Sequence, residues 1–310
     1  MNSPSNAAPE PPLDSQVIAP AAMPATRPLY WSVRREWWEN SSIYIAPLAV
    51  AGVILFGFLI SIIHPAVKMR AALADPAHQR AAIHMPYDIG AALIMGTIFI
   101  VGVFFCLDAL YGERRDRSIL FWKSLPVSDL STVLSKASIP LAVLLLVAFA
   151  TIVATQLVML LLSIVVLPRN GLTVAAVWAQ LPLVKMWLAL PYALAAMALW
   201  QAPIYGWLLL VSGWARRAAF LWAVLPLFAI GVIEKVAFNT THFANLVKYR
   251  LFGWVAQALD PQAHSDALMD PLRALAPGRF LSTPGLWIGL AVAVVFLGAA
   301  ARLRRYRGPI

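Results

Sequence analysis

The sequence predicts an all-α integral membrane protein with six transmembrane helices, and three observations carry that prediction. Of its 310 residues, 61% are hydrophobic and only 12% charged, where a soluble domain is about half apolar and about a quarter charged. Six uncharged runs approach or exceed the roughly 20 residues that cross about 30 Å of hydrocarbon as a helix. These runs are long and continuous, not short and alternating as the strands of a membrane barrel are. Three further elements complete the expected architecture: an N-terminal interfacial amphipathic helix, a short cytoplasmic helix between spans two and three, and outer-leaflet helices between spans five and six.

Residues 1–28 read as a disordered cytoplasmic tail. They are rich in Pro and Ala, and 1–26 hold no Lys or Arg and no apolar core of a signal peptide. Residues 29–40, LYWSVRREWWEN, follow. At 100° per residue, Leu29, Tyr30, Trp31, Val33, Trp37 and Trp38 fill one arc, interrupted only by Arg34, and Ser32, Arg35, Glu36 and Glu39 fill the opposite one. Large aromatics beside arginines suit a helix lying in the headgroup layer; the plainer alternative is that Trp37 and Trp38 only anchor the first span. Residues 41–310 form the membrane domain, with spans at about 43–63, 87–110, 138–167, 186–211, 218–235 and 282–301. The fourth is expected to be broken by Pro191 and Pro203, and the fifth to end at Glu234-Lys235. Residues 64–86 and 168–185 are expected as outer loops, the latter with LPRNG as a turn signal, and 236–282 as an outer segment with one or two short helices.

Lys and Arg set the orientation. With both termini in the cytoplasm, the inner segments 1–42, 112–137, 212–217 and 302–310 carry 14 of the 24 basic residues. The sharpest clusters abut membrane ends: Arg114, Arg115 and Arg117; Arg216 and Arg217; Arg302, Arg304, Arg305 and Arg307. The net charge of +10 is therefore read as a topology signal and not as a nucleic-acid footprint.

Catalytic signatures are missing from the sequence. There is no G-x-x-x-x-G-K-[ST], no H-E-x-x-H, no C-x-x-C and no G-x-S-x-G. The five histidines, His64, His78, His84, His242 and His264, all fall on the expected outer side with no helical pair spacing, so no metal site is expected. Cys106 is alone and reads as a small apolar core residue. Asp108 is expected to reach the interface or pair with a nearby arginine, and Glu234 to end span five, with pairing into the outer segment as the alternative. Gln156 and Gln201, both mid-span, suit interhelical hydrogen bonds.

The stretch from Tyr111 to Lys136, YGERRDRSILFWKSLPVSDLSTVLSK, sits between two of the greasiest runs. Its charges are followed by Ile119, Leu120, Phe121 and Trp122, then by Leu125-Pro126-Val127, where proline forces a turn. Ser128 is placed to cap a helix running into span three. A short exposed helix of such composition lies on lipid or docks in a partner's groove.

Six spans, an amphipathic N-terminal helix, and Glu113, Leu125, Pro126, Val127, Ser128 and Lys136 in this order resemble the ABC-2-type transporter permeases, over essentially residues 29–310. The sequence departs from that pattern in having Arg117-Ser118 where Gly-Thr is usual, and Ser135 before Lys136 where Gly is usual. The resemblance implies a non-catalytic permease subunit of an ABC exporter in the bacterial inner membrane. Glu113, Arg114, Arg115, Ser118, Ile119, Leu120, Phe121, Trp122, Leu125 and Pro126 would then belong to a coupling helix docked on a separate ATPase. Tyr30, Trp31, Arg34, Arg35, Trp37 and Trp38 would belong to a connecting helix beside it. It also implies two ATPase subunits that bind ATP and Mg, a second permease subunit as homo- or heterodimer partner, and no cofactor in this chain. Two other readings compete: a membrane scaffold recruiting a cytoplasmic protein, and a lipid-modifying membrane enzyme, for which no cluster of acid, base or metal-ligating residues is seen. The apolar, uncharged spans favour a lipophilic or amphipathic cargo over a small ion.

Overall fold

A computed structural model describes residues 26–63, 76–124, 127–166, 181–260 and 270–307. Among them the secondary structure is helical, apart from one isolated antiparallel bridge between Leu259 and Leu275. Six helices are long and apolar enough to cross a membrane, as expected. Most of the expected tail, the LPRNG turn, Leu125, Pro126 and residues 261–269 lie outside the described residues.

Helix α1 spans Thr26–Glu39 and α2 spans Ser42–Ile63. Helix α3 runs from Pro76 to Ala109, so residues 76–86, expected as loop, are helical. Proline at a first helical position needs no N–H, and the Ala-containing stretch after it favours helix. Two short helices follow, α4 at Tyr111–Arg115 and α5 at Ile119–Ser124. Helix α6, Asp129–Ser138, begins at Ser128, whose Oγ accepts from the Ser131 backbone N–H at 3.1 Å, the cap expected from the sequence. A π turn at Ile139–Val143 carries α6 into α7, Leu144–Val166. The wider turn accommodates Pro140, which has no N–H to donate to the ladder.

Helix α8 is continuous from Leu183 to Trp214 through both Pro191 and Pro203, correcting the expected break. Each proline removes one ladder bond, and neighbouring helices hold the rest in place, as they do for prolines within membrane helices. Helix α9 spans Ala219–Phe238, past the expected stop at Glu234-Lys235. Helices α10, His242–Ala258, and α11, Pro277–Ser282, lie within 236–282, the segment expected to carry one or two short helices. The last, α12, runs from Pro284 to Tyr306 and so extends through the terminal arginine cluster.

Helix α8 is the axis of the bundle, with 72% of its apolar window buried, while α2 and α9 are peripheral at 11% each. It lies along α12, and Gly206 permits the close approach: a Cβ there would meet the Ala293 carbonyl at 3.3 Å. The core between α2, α3, α7 and α8 is built on Ile43, Ile94, Ile98, Leu144, Ile152 and Leu209. Gln156 on α7 accepts from the Trp187 indole on α8 at 2.8 Å, an interhelical bond. Gln201 instead accepts from the Tyr205 hydroxyl one turn along the same helix.

A buried ion network at one end of the bundle

Four elements distant in sequence deliver charge to one place. Helix α1 presents Arg35 and Glu36; α4 presents Glu113; α6 presents Asp129 in its first turn and Lys136 in its last; α12 presents Arg304. The Lys136 ammonium lies 2.8 Å from Glu36 and 3.1 Å from Glu113. Arg304 forks, reaching Glu113 through Nη2 at 3.3 Å and Asp129 through Nη1 at 2.5 Å. Arg35 Nη2 contacts Glu36 at 2.6 Å and Glu113 at 3.2 Å. Glu113 thus accepts from three cations, and three carboxylates balance three cations overall. Glu36, Glu113, Lys136 and Arg304 are all buried. Taking such charges out of water is costly, and the cost is offset only when each one is paired and hydrogen-bonded. Burial alone would lower the Arg35 pKa, but Glu36, Glu39 and Glu113 more than offset it, and the guanidinium is held above its ordinary value.

Neutral contacts lock the same end. Arg114 Nη1 donates to the Gly213 and Ala215 carbonyls at 2.8 and 3.1 Å, satisfying the C-terminal end of α8. The Ser212 hydroxyl oxygen accepts from the Leu110 and Tyr111 backbone N–H groups. Helix α5 joins through three contacts. Trp122 lies under the Arg35 guanidinium at 3.8 Å, Ile119 is buried, and Lys123 donates to the Arg307 carbonyl at 3.1 Å. The apolar side chains α5 leaves outside are Leu120 and Phe121, each 60% exposed.

The sequence-predicted residues therefore divide. Glu113, Arg114 and Ile119 face inward, Ser118 is half-buried with its hydroxyl toward the Glu113 carbonyl, and Trp122 is half-buried on Arg35. Leu120 and Phe121 are exposed, and Arg115 is exposed between Asp108 and Asp116. Leu125 and Pro126 lie outside the described residues. On α1, Tyr30, Trp31 and Trp38 are exposed, and Arg34 lies over the Trp31 and Trp38 rings. Trp37 is half-buried against Tyr44. The polar arc of α1 turns inward at Arg35 and Glu36 because their counter-ions are there.

Sequence reasoning did not gather Glu36, Asp129, Lys136 and Arg304 into a site. Lys136 and Arg304 were visible only as a motif match and a topology charge, and no periodicity links them. Among the described residues no group of three metal-ligating side chains forms. His84 is buried and His242 exposed; His64, His264 and the His78 side chain lie outside the described residues.

Fold and site define a helical protein with six helices long and apolar enough to cross a membrane, in which α1, a short helix and the ends of three long helices meet at one charged joint. No family model matches this chain, and neither does any curated protein or solved structure.

Proposed function

We propose that the chain is the membrane-spanning permease subunit of an ATP-driven exporter of the ABC-2 type, in a bacterial inner membrane. A separate ATPase pair binds ATP and Mg and grips α5 from the cytoplasm, and a second permease subunit completes the pathway. One observation carries this reading. The exposed Leu120–Phe121 ridge belongs to a helix held to α1 by Trp122 stacking on Arg35 and to the end of α12 by Lys123 donating to the Arg305 and Arg307 carbonyls. A push on that ridge would be passed to α1 and the end of α12 and, through them, to the charged joint. Two details support it. Glu113 and Lys136, which match the family pattern, are joined at 3.1 Å. Arg117, standing where that pattern has glycine, adopts a φ of 60°, the left-handed region glycine favours.

The test uses the exposed ridge, so that folding is spared. Leu120→Asp with Phe121→Asp, co-expressed with a Walker-A ATPase from a neighbouring reading frame if one is encoded there, is expected to abolish co-purification and cargo-stimulated ATP turnover at an unchanged melting temperature. Retained co-purification with coupled turnover would sink the assignment. An ATPase that binds through this ridge but drives no transport would favour the scaffold reading.

A further inference from the structure

Helix α10 carries a further cation, half-buried and far from the joint. Arg250 lies over the Trp200 ring at 5.0 Å, and its Nη2 donates to the Gly285 carbonyl at 3.1 Å. Trp200 is wholly buried, and its indole donates to the Tyr249 carbonyl at 3.3 Å. The guanidinium passes over Gly289, where any Cβ would overlap Nη2. Position 289 is thus shaped for this side chain. The cradle supplies an aromatic face and a carbonyl but no counter-charge: among the described residues no carboxylate pairs with Arg250, and its Nη1 is buried with no hydrogen-bond partner.

Two helices measure its depth. Gly289 lies about 22 Å along α12 from Arg304, and Trp200 about 20 Å along α8 from Gly213, at about 1.5 Å per residue. With the joint marking one face of a hydrocarbon layer about 30 Å thick, Arg250 falls in the far half of that layer. An unpaired guanidinium at such a depth is costly unless something anionic joins it. Its planar fork fits a carboxylate or phosphate.

We propose that Arg250, cradled by Trp200, Gly285 and Gly289, anchors the oxyanion group of an amphipathic molecule, a carboxylate or a phosphate monoester, on the outer half of the bundle. This deepens the permease reading by naming the chemical class of its cargo's head group. Nη1 is covered in this conformation, so binding displaces a neighbour. Tyr249, at 42% exposure, is the side chain at the cradle's outer edge.

The experiment is calorimetric titration of the purified full chain, without ATPase, in nanodiscs of phosphatidylcholine. The probes are dodecyl phosphate, inorganic phosphate and the uncharged dodecyl maltoside. Dodecyl phosphate is expected to bind the wild type and to weaken about tenfold or more in Arg250→Met, one charge-assisted contact being lost. Arg250→Lys keeps the charge and should retain part of the affinity. Dodecyl maltoside should be indifferent to both changes. Inorganic phosphate should bind far more weakly than dodecyl phosphate; equal binding would overturn the amphipathic assignment. Equal loss for the anionic and neutral amphipaths in Arg250→Met, or no loss at all, would mean that Arg250 only pins α10 to α8 and would overturn the site. If Arg250→Met fails to fold, Gly289→Ala, which displaces the guanidinium and keeps its charge, must weaken dodecyl phosphate selectively, and an unchanged affinity is equally fatal. Because no ATPase enters the titration, its outcome and that of the ridge variants on α5 are independent.

Discussion

Arg304 forks between Glu113 and Asp129, two carboxylates from different helices. Its planar guanidinium reaches them through two separate nitrogens in a fixed fork, a geometry an ammonium does not reproduce. Truncation leaves Glu113 buried with one fewer cation, and breaking a buried pair in this way costs about 3–5 kcal/mol. Arg304→Ala is therefore expected to lower the melting temperature of the purified protein sharply, with Arg304→Lys intermediate. Asp129→Asn, whose partner keeps Glu113, should fall less than Arg304→Ala. Equal melting for Arg304→Ala and wild type would show that the network contributes nothing to the fold. This residue was legible only as a positive charge after the last span. Its partners were not, because ion pairing between positions so far apart in the chain leaves no periodic trace. Glu36 is the harder case: on a helical wheel it belongs to the water-facing arc, and the inward Lys136 alone reverses that.

Glu234 shows how an element's end is set by its neighbour. Expected to stop span five, it lies inside α9, and its carboxylate accepts from the Thr240 hydroxyl and the His242 and Phe243 backbone N–H groups at 2.7–2.8 Å. These amides open α10 and have no partner within the helix, so a carboxylate there is favoured both as acceptor and by the helix dipole. Asn239, at a φ of 50°, makes the turn between them. Glu234→Ala is expected to speed hydrogen exchange at the first turn of α10 while α8 stays protected, as read by mass spectrometry; unchanged exchange at 242 and 243 would show that the cap is idle. The alternative weighed from the sequence, pairing into the outer segment, is the one the structure takes. The choice needed three-dimensional knowledge of where α10 begins. Helix propensity likewise warned against prolines in α8, but it describes an isolated helix in water, and α8 is enclosed by α3, α7 and α12.

At the scale of the whole molecule, the arginine clusters converge. Helix α1, the α3–α6 connection, the end of α8 and the end of α12 lie at one end of the bundle, and the Lys185–Asp270 pair and α11 at the other. With the basic end inward, Lys123→Cys should react with a membrane-impermeant maleimide only in inside-out vesicles, and Arg273→Cys only in right-side-out cells. Cys106, the single native cysteine, is buried and gives no background. Labelling of Lys123→Cys from outside would invert the topology and end the case for a cytoplasmic ATPase.

Composition and run length by themselves determined that the chain is helical, that six helices suit a bilayer, that Ser128 starts a helix and that a short helix interrupts spans two and three. These are local properties: apolar length against bilayer thickness, and a hydroxyl three residues before an open amide. Tertiary structure alone decided which charges meet, that Glu36 faces inward, that Glu234 serves the next helix, and that Arg250 lies over Trp200 with no carboxylate partner among the described residues. Each of these depends on contacts between segments tens to hundreds of residues apart, and a charge's worth is set by the dielectric and the partners around it, which no stretch of its own sequence contains.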